Sequence, residues 1–402
     1  MKGRVAVVVL DACGVGALPD AADNGDAGAD TLPHVALAVG GLNVPNLAHL
    51  GLGNITKILG VPPAAAPAIH GRLHPLGPGK DSTTGHWELM GAVTPAPLPT
   101  YPDGFPPDVL ERIEAAGGHT FCCNRPYSGT AVLGDYGEHH LQTGELILYT
   151  SADSVLQIAA HDDVLPEPEL HEVCARIRGV MTGEHAVGRV IARPFTGAPG
   201  AFRRTTGRRD FSVDPPSRTY LDELRHDHVP VHSVGKVHDL FAGKGIDVAH
   251  QGKTNEQALE ATTELLRKLE RGLIFTNLVE TDQLYGHRKD VEGFHAALRE
   301  IDAAVGQWVR LLGPDDLLIL TADHGVDPDA PHSDHTREHV PLLAVSEDGD
   351  GHRHDGPMAD VGATVLRWLT GREVAELPGV PFLADGFGGA IPGNAGPGGQ
   401  GP

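Results

Sequence analysis

The sequence predicts an α/β protein with a mostly parallel central sheet flanked by helices and a smaller α/β unit inserted into it. Three observations carry this. Residues 5–10, 273–279 and 317–321 are continuously apolar and largely β-branched or leucine-rich, the pattern of strands covered on both faces. Each run is followed within a few residues by an aspartate: Asp11, Asp282 or Asp323. Residues 290–312 place Phe294, Leu298, Ile301, Val305, Trp308 and Leu312 on one helical face between the last two runs. Alternation of strand and helix is the signature of a parallel sheet, whose functional residues collect at the carboxyl ends of the strands.

Taken in order, the run at 5–10 has the length of a strand. It falls far short of the roughly 18–20 apolar residues of a membrane span, and no later run approaches that length. Pro95, Pro97, Pro99, Pro102, Pro106 and Pro107 mark a rigid connection. Beyond it come an amphipathic helix at 108–116, a strand at 145–149, a helix at 167–178, a strand at 188–192 and an Arg-rich loop. A second proline stretch, Asp214-Pro-Pro-Ser, closes the segment, and a helix at 256–271 leads into the strand at 273–279. The expected organisation is a discontinuous catalytic core, 1–96 and 215–385, and an inserted cap, 97–214. The Gly/Pro-rich tail, 386–402, is expected to be disordered.

Composition narrows the function. With 31 Lys and Arg against 53 Asp and Glu, the net charge is −22, which argues against a general binder of nucleic acid or anionic membranes. A phosphate-handling protein of this charge needs local cations or metals. The four cysteines, Cys13, Cys122, Cys123 and Cys174, form no CxxC pair, and two are adjacent, so no secreted disulfide framework is expected. The expectation is a soluble, cytoplasmic protein. Its 24 histidines direct attention to metal sites.

Asp11 and the sequence Asp323-His324 lie at strand ends, and so does Asp282-x4-His287, with His335 a short way beyond His324. Mixed carboxylate and imidazole donors suit Zn²⁺ or Mn²⁺. Three Asp and three His make two half-shells of three ligands, the requirement of a two-metal centre with ions about 3.5–4 Å apart. Any one of these residues alone reads better as a helix cap or a solvated side chain. All six at strand ends favour the metal reading. His332, His339, His352 and His354 lack such support and are expected at the surface.

Ser82 stands in Gly79-Lys-Asp-Ser-Thr-Thr-Gly85, ahead of His86. Its hydroxyl fits a helix N-cap, or a nucleophile whose alkoxide is stabilised by a metal and by helix N-terminal amides; spacing does not separate the two. The segment 202–210 holds four Arg in nine residues, by itself an ordinary solvated loop, but beside Arg193 better suited to bidentate phosphate capture. Two divalent ions and three Asp leave a local charge of about +1, attractive to a phosphate despite the overall −22.

Together, Asp11-x-x-Gly-x-Gly, KDSTTGHWE (80–88), YTSADSVLQIAAH (149–161), IARPFTGAPGAF (191–202), the Asp282/His287 pair and ADHG…DHTREHVP (322–341) resemble the phosphopentomutase family of the alkaline phosphatase superfamily. The resemblance spans nearly the whole chain. It implies an alkaline-phosphatase-like core with two Mn²⁺ ions (Mg²⁺ or another divalent ion being admissible), one on Asp282, His287 and His335, the other on Asp11, Asp323 and His324. The phosphoryl-accepting hydroxyl falls on Ser82, where the family pattern carries Thr. Ser151, Asp153, Arg193, Arg208 and Lys236 are implied to touch the sugar and its distal phosphate. The implied reaction interconverts α-D-ribose 1-phosphate and ribose 5-phosphate, and the 2-deoxy sugars, after activation by a sugar bisphosphate such as glucose 1,6-bisphosphate. Pentose phosphates are then the partners, with no nucleic acid or membrane, and oligomeric state is left open. A metal-dependent phosphatase or phosphodiesterase on the same core is the rival, and a non-catalytic sugar-phosphate sensor a more distant one.

Overall fold

The computed structural model describes residues 3–151, 153–347 and 351–383, so the tail expected to be disordered lies outside the described residues. The chain opens with β1 (Arg4–Leu10), α1 (Thr31–Ala38), α2 (Pro45–Leu50), α3 (Leu52–Ile55), β2 (Ile69–His74) and α4 (Ser82–Leu89). The middle holds α5 (Pro107–Gly117), β3 (Phe121–Pro126), α6 (Ala131–Thr143), β4 (Leu146–Thr150), β5 (Val155–His161), α7 (Glu167–Val180), β6 (Arg189–Thr196), β7 (Arg203–Arg204) and β8 (Arg209–Ser212). Then follow α8 (Tyr220–His226), β9 (Val231–Val234), α9 (Val237–Leu240), β10 (Val248–His250), α10 (Asn255–Lys268), β11 (Gly272–Leu278), α11 (Val291–Val309), β12 (Leu317–Thr321), β13 (Val340–Val345), β14 (Gly356–Pro357) and α12 (Asp360–Thr370).

Two sheets result. The first has eight strands in the order β10-β9-β11-β1-β12-β13-β2-β14. Five of its strands, from β10 to β12, run parallel, and β13 is antiparallel to both β12 and β2. The sheet is therefore mostly parallel, as the apolar runs predict. Because β1 is flanked by β11 and β12, its side chains from Val5 to Val9 are buried on both faces. α12 packs on β1, and α10 packs on β11 and α11. The register is what matters for chemistry. Leu10 pairs with Leu278 and Val9 with Thr321, so the three chains leave the sheet side by side at their carboxyl ends.

The second sheet runs β3-β4-β5-β6-β7, with β8 also pairing β6. Alternation along β4 splits its core: Leu146 and Leu148 face a cluster with Val109, Ile113 and Val173, while Ile147 and Tyr149 face Val132, Leu133 and Phe195. α5 and α7 thus cover one face and α6 the other.

Some expectations need correcting. The strand expected at 188–192 continues to Thr196 through Pro194, which a reading of proline as a strand breaker stopped short of. Pro194 falls where the antiparallel partner changes, after the Ala192–Arg209 pair and before Phe195–Arg204. β2 and β13 went unread, since β2 carries His70, Gly71, Arg72 and His74, and β13 contains Pro341. All four cysteines are free. No helix among the described residues is long and apolar enough to cross a membrane.

Candidate metal centre and active site

Asp11 follows β1 directly. Ala12 behind it takes a left-handed conformation, φ 64°, that turns the chain sharply while remaining buried. Asp282 lies in a single π-helical turn, Thr281–Tyr285, the kind of irregular turn that recurs at functional sites. Asp323 and His324 follow β12. His335 comes back to them because Thr336 and Gly325 form an isolated antiparallel bridge, which stacks the His335 ring 4.0 Å from that of His324. His287 sits 4.8 Å from His335, ring to ring. All six expected ligands therefore meet.

Their second contacts aim them. His287 Nδ1 donates to Ser333 O at 2.7 Å and His324 Nδ1 to Gly325 O at 3.0 Å, leaving both Nε2 atoms turned inward. His287 Nε2 and His335 Nε2 each stand 3.3 Å from Asp282 Oδ1. His324 Nε2 is 3.4 Å from Asp11 Oδ1 and 3.5 Å from Asp323 Oδ2. Each carboxylate at this second group has one oxygen held by donors; of the other two oxygens, Asp11 Oδ1 is bare and Asp323 Oδ2 faces His86 Nδ1 at 3.2 Å. Asn277 Nδ2 donates to Asp11 Oδ2 at 2.9 Å, and the amides of Ala12 and His324 donate to Asp323 Oδ1 at 3.2 Å.

Asp11 Oδ1, Asp282 Oδ1, Asp323 Oδ2 and His335 Nε2 are buried with no hydrogen-bond partner. Such orphans are costly and rare unless something else satisfies them. Ligands about 2.1 Å from a shared ion stand about 3–3.5 Å apart, the separation seen here. The residues fit divalent cations, one among Asp282, His287 and His335 and one beside Asp11 and His324, with Asp282 reaching both groups.

The electrostatics agree. Burial, with Asp323 and Asp282 nearby, pushes the Asp11 carboxyl well up. Burial also opposes ionisation of Asp323, but His324 and His86 outweigh it and hold its carboxyl down at about 2. For Asp282, His335, His324 and His287 likewise overcome burial and keep the carboxyl low. Burial disfavours a charged His324, yet Asp323, Asp11 and Asp282 raise it to about 9.

Ser82 is not the helix cap. Asp81 is, accepting from the amides of Thr83 and Thr84 at 2.9 and 3.1 Å, and Ser82 is the first residue of α4. Those amides are thus already engaged, which corrects the expectation that they serve an alkoxide. Ser82 Oγ instead lies 3.1 Å from His324 Nε2. Thr84 Oγ1 is tied to Asp81 Oδ2 at 2.8 Å, and Thr83 is buried. α4 approaches this closely because residue 85 is glycine: a Cβ there would stand 2.4 Å from Asp323 O.

Sequence reasoning missed the groups that hold this loop. Buried Asp26 accepts from Lys80 Nζ, His332 Nε2 and the amide of Arg337, each at 2.9 Å, while Arg337 donates to Gly79 O at 2.7 Å. Buried Glu338 accepts from the Thr31 amide and hydroxyl, the Thr336 hydroxyl and the Gly16 amide, and burial pushes its carboxyl up. The His332, His339, His352 and His354 side chains, expected at the surface, are instead partly buried and hydrogen-bonded, His354 to Asp360 at 2.7 Å.

Around the second sheet, Arg193 donates to Gln157 Oε1, and burial with Arg208 and Arg204 nearby lowers it to about 10. Arg208 is engaged by Asp210 through two bonds of 2.7 Å. Asp153 lies 3.8 Å from Arg189, and Ser151 follows β4. Lys236 opens α9, and its charge is felt at Asp11. β8, which carries Asp210, packs on α9, next to Lys236. Arg189 was overlooked as a member; Arg189, Ile191 and Arg193 share one face of β6, a period of two that the sequence already displays.

A mostly parallel sheet whose strand ends gather three carboxylates and three imidazoles beside a serine hydroxyl defines a metal-dependent enzyme. Consistently, the family model described as Metalloenzyme superfamily matches residues 3–371. Relatives narrow this. A phosphopentomutase of Carboxydothermus hydrogenoformans is 49% identical over 90% of this chain and 94% of its own length. One of Dictyoglomus thermophilum is 49% identical over 85% and 88%, and one of Anaeromyxobacter sp. strain K is 47% identical over 96% and 99%. The chain belongs to the phosphopentomutase family. Among solved structures, a phosphoglycerate mutase of Leishmania mexicana aligns with 94% of this chain and 96% of its own at 14% identity and a TM-score of 0.48.

Proposed function

We infer that the chain interconverts α-D-ribose 1-phosphate and ribose 5-phosphate, and the 2-deoxy equivalents, through a phosphoserine at Ser82. Family membership supports the reaction. The observation that carries the mechanism is Ser82 Oγ, 3.1 Å from His324 Nε2 at the rim of the ligand cluster.

Asp282, His287 and His335 would hold one divalent ion, and Asp11, Asp323 and His324 the other, with Mn²⁺ the reading that the family resemblance supports. Bound there, the ions supply Lewis acidity and neutralise phosphoryl charge. The protein does the rest by positioning. Asp81 and the Asp26–Lys80–Arg337 network fix Ser82 at the start of α4. In the forward transfer the bond between phosphorus and Ser82 Oγ breaks while one forms to the substrate's free hydroxyl oxygen, whose proton is released. The bisphosphate turns over in the site, and its other phosphoryl passes to Ser82. A sugar bisphosphate, for which glucose 1,6-bisphosphate serves, is needed to load the serine.

Residues 97–214, containing the second sheet, are proposed as a cap that shields the phosphoserine from water, and 1–96 with 215–385 as the core. Ser151, Asp153, Arg193, Arg208 and Lys236 are proposed to hold the sugar and its other phosphate, which requires Arg208 to exchange part of its Asp210 contact for substrate. Pentose phosphates in the cytoplasm are the proposed setting.

The test is turnover of ribose 1-phosphate with Mn²⁺, with and without glucose 1,6-bisphosphate, with free phosphate monitored and the loaded protein mapped by mass spectrometry. Bisphosphate-dependent isomerisation and phosphate on Ser82 are expected. Phosphate on Thr83 or Thr84, or release of free phosphate in place of isomer, overturns the mechanism.

A further inference from the structure

A second cluster of metal donors lies away from the catalytic centre. Cys122 on β3, His139 on α6 and Glu145 just before β4 bring one ligand atom each within 4.8 Å of one another. The three come from different elements held in place by unrelated contacts. Thr143 Oγ1 donates to His139 O at 2.9 Å and accepts from the Glu145 amide at 3.2 Å, fixing the turn between α6 and β4. The next histidine, His140, is fully used inside the fold: its Nδ1 donates to Glu145 O and its Nε2 accepts from the His161 amide. His139 is therefore free to face outward, where its Nε2 meets Glu145 Oε2 at 2.5 Å. Its side chain is 47% exposed, so a solvated ion can enter.

The ordinary reading of this group is a surface ion pair with a thiol next to it. The thiol is what that reading leaves out: Cys122 is half-buried against the cluster of Val132 and Phe195, and its Sγ lies 3.6 Å from Leu146 O. Burial, and then the Glu145 charge, push its thiol up to about 11.

We propose that Cys122, His139 and Glu145 form a Zn²⁺ site, with three protein ligands and a fourth position open to water. The donor set decides the metal. Sulfur, imidazole nitrogen and one carboxylate suit tetrahedral Zn²⁺, whereas the catalytic cluster offers no sulfur and several hard oxygens. On binding, a zinc–sulfur bond forms and the Cys122 proton is released to solvent.

The site also stands apart from catalysis. Glu145 precedes β4 and Ser151 follows it, so the strand separates them by about 20 Å at 3.3 Å per residue. An ion held there would link α6 to the amino ends of β3 and β4.

Co²⁺ is the probe, because a cobalt–thiolate bond gives an intense near-ultraviolet charge-transfer absorption that carboxylate and imidazole ligands do not. Titration of the full-length protein should develop this band, and Zn²⁺ should abolish it by displacement. Cys122→Ser should remove it, while Cys123→Ser, whose thiol faces Arg125, should retain it. His139→Ala and Glu145→Gln, changes at surface positions that leave the fold intact, should each weaken Co²⁺ binding about tenfold or more and leave ribose 1-phosphate turnover unchanged in Mn²⁺. A wild-type protein without the band at saturating cobalt overturns the proposal. So does a band that survives in Cys122→Ser, or binding that is indifferent to His139→Ala and Glu145→Gln.

Discussion

Ser82 and Gly85 occupy one turn of α4 and do opposite things: one presents an atom, the other withholds one. Ser82→Ala should lower mutase turnover by about three orders of magnitude or more while leaving metal content unchanged; Ser82→Thr should stay active, since it keeps the hydroxyl. Turnover assays beside metal analysis check this, and an active Ser82→Ala rules out the serine. Gly85→Ala places a methyl 2.4 Å from Asp323 O, and either α4 or the Asp323 loop must retreat. Asp323 has one oxygen fixed by two amides and the other beside His86, so that second oxygen moves with the loop. Metal affinity should fall by about 10–100-fold, measured by Mn²⁺ titration of the apoprotein. Unchanged affinity means that the close approach is slack.

Between the strands, Asp316 anchors the start of β1. It accepts from the Arg4 amide at 2.9 Å and from the Arg4 guanidinium, and from the Gly313 amide at 2.9 Å. Burial alone would raise its carboxyl, but Arg4 and those amides bring it below the ordinary value. A carboxyl lowered on folding adds stability above its unfolded pKa of about 4, and that contribution is lost as pH falls through the folded value. Asp316→Asn should therefore lower stability at neutral pH and flatten the acid limb of a urea-unfolding profile. An acid limb identical to the parent's removes Asp316 from the account. At this scale the sequence was readable where strands are covered on both faces. β1, β11 and β12 declare themselves by unbroken apolar runs, and the candidate ligands Asp11, Asp282, His287, Asp323 and His324 follow from their ends. β2, β13 and the far half of β6 did not, because β2 is interrupted by His, Gly and Arg, β13 carries Pro341, and β6 changes partner at Pro194. Asp26, Arg337 and Glu338 were equally hidden. Their importance comes from hydrogen bonds to residues hundreds of positions away, which spacing does not encode. Spacing left Ser82 open between cap and nucleophile because Asp81 and Ser82 are both good caps; the structure gives the cap to Asp81.

The whole molecule carries −22 and concentrates three carboxylates at a single point. Its folded state is strained there until cations arrive, and anything that binds only that state stabilises it by mass action. Chelation should lower the melting temperature by several degrees, and Mn²⁺ should restore it in a concentration-dependent way. Scanning calorimetry with and without chelator reads this directly; no shift on chelation means the carboxylates are satisfied some other way. High salt should not substitute, because screening acts weakly on a buried cluster.

The placement of β1 between β11 and β12 also has a history within each chain's synthesis. Leu10 leaves the ribosome about 260 residues before Gly272, so at about 5–20 residues per second the central strand waits roughly 13–50 s for its first neighbour. The second sheet, 121–212, needs nothing from that future and can close on its own cores meanwhile. A nascent chain halted near residue 250 should thus protect β4 and β5 from hydrogen exchange and leave β1 open, an apolar segment in need of a chaperone. Equal protection of both would mean that β1 has found a temporary partner. The strand at the centre of the finished enzyme is among the first made, yet stands unpaired until β11 arrives.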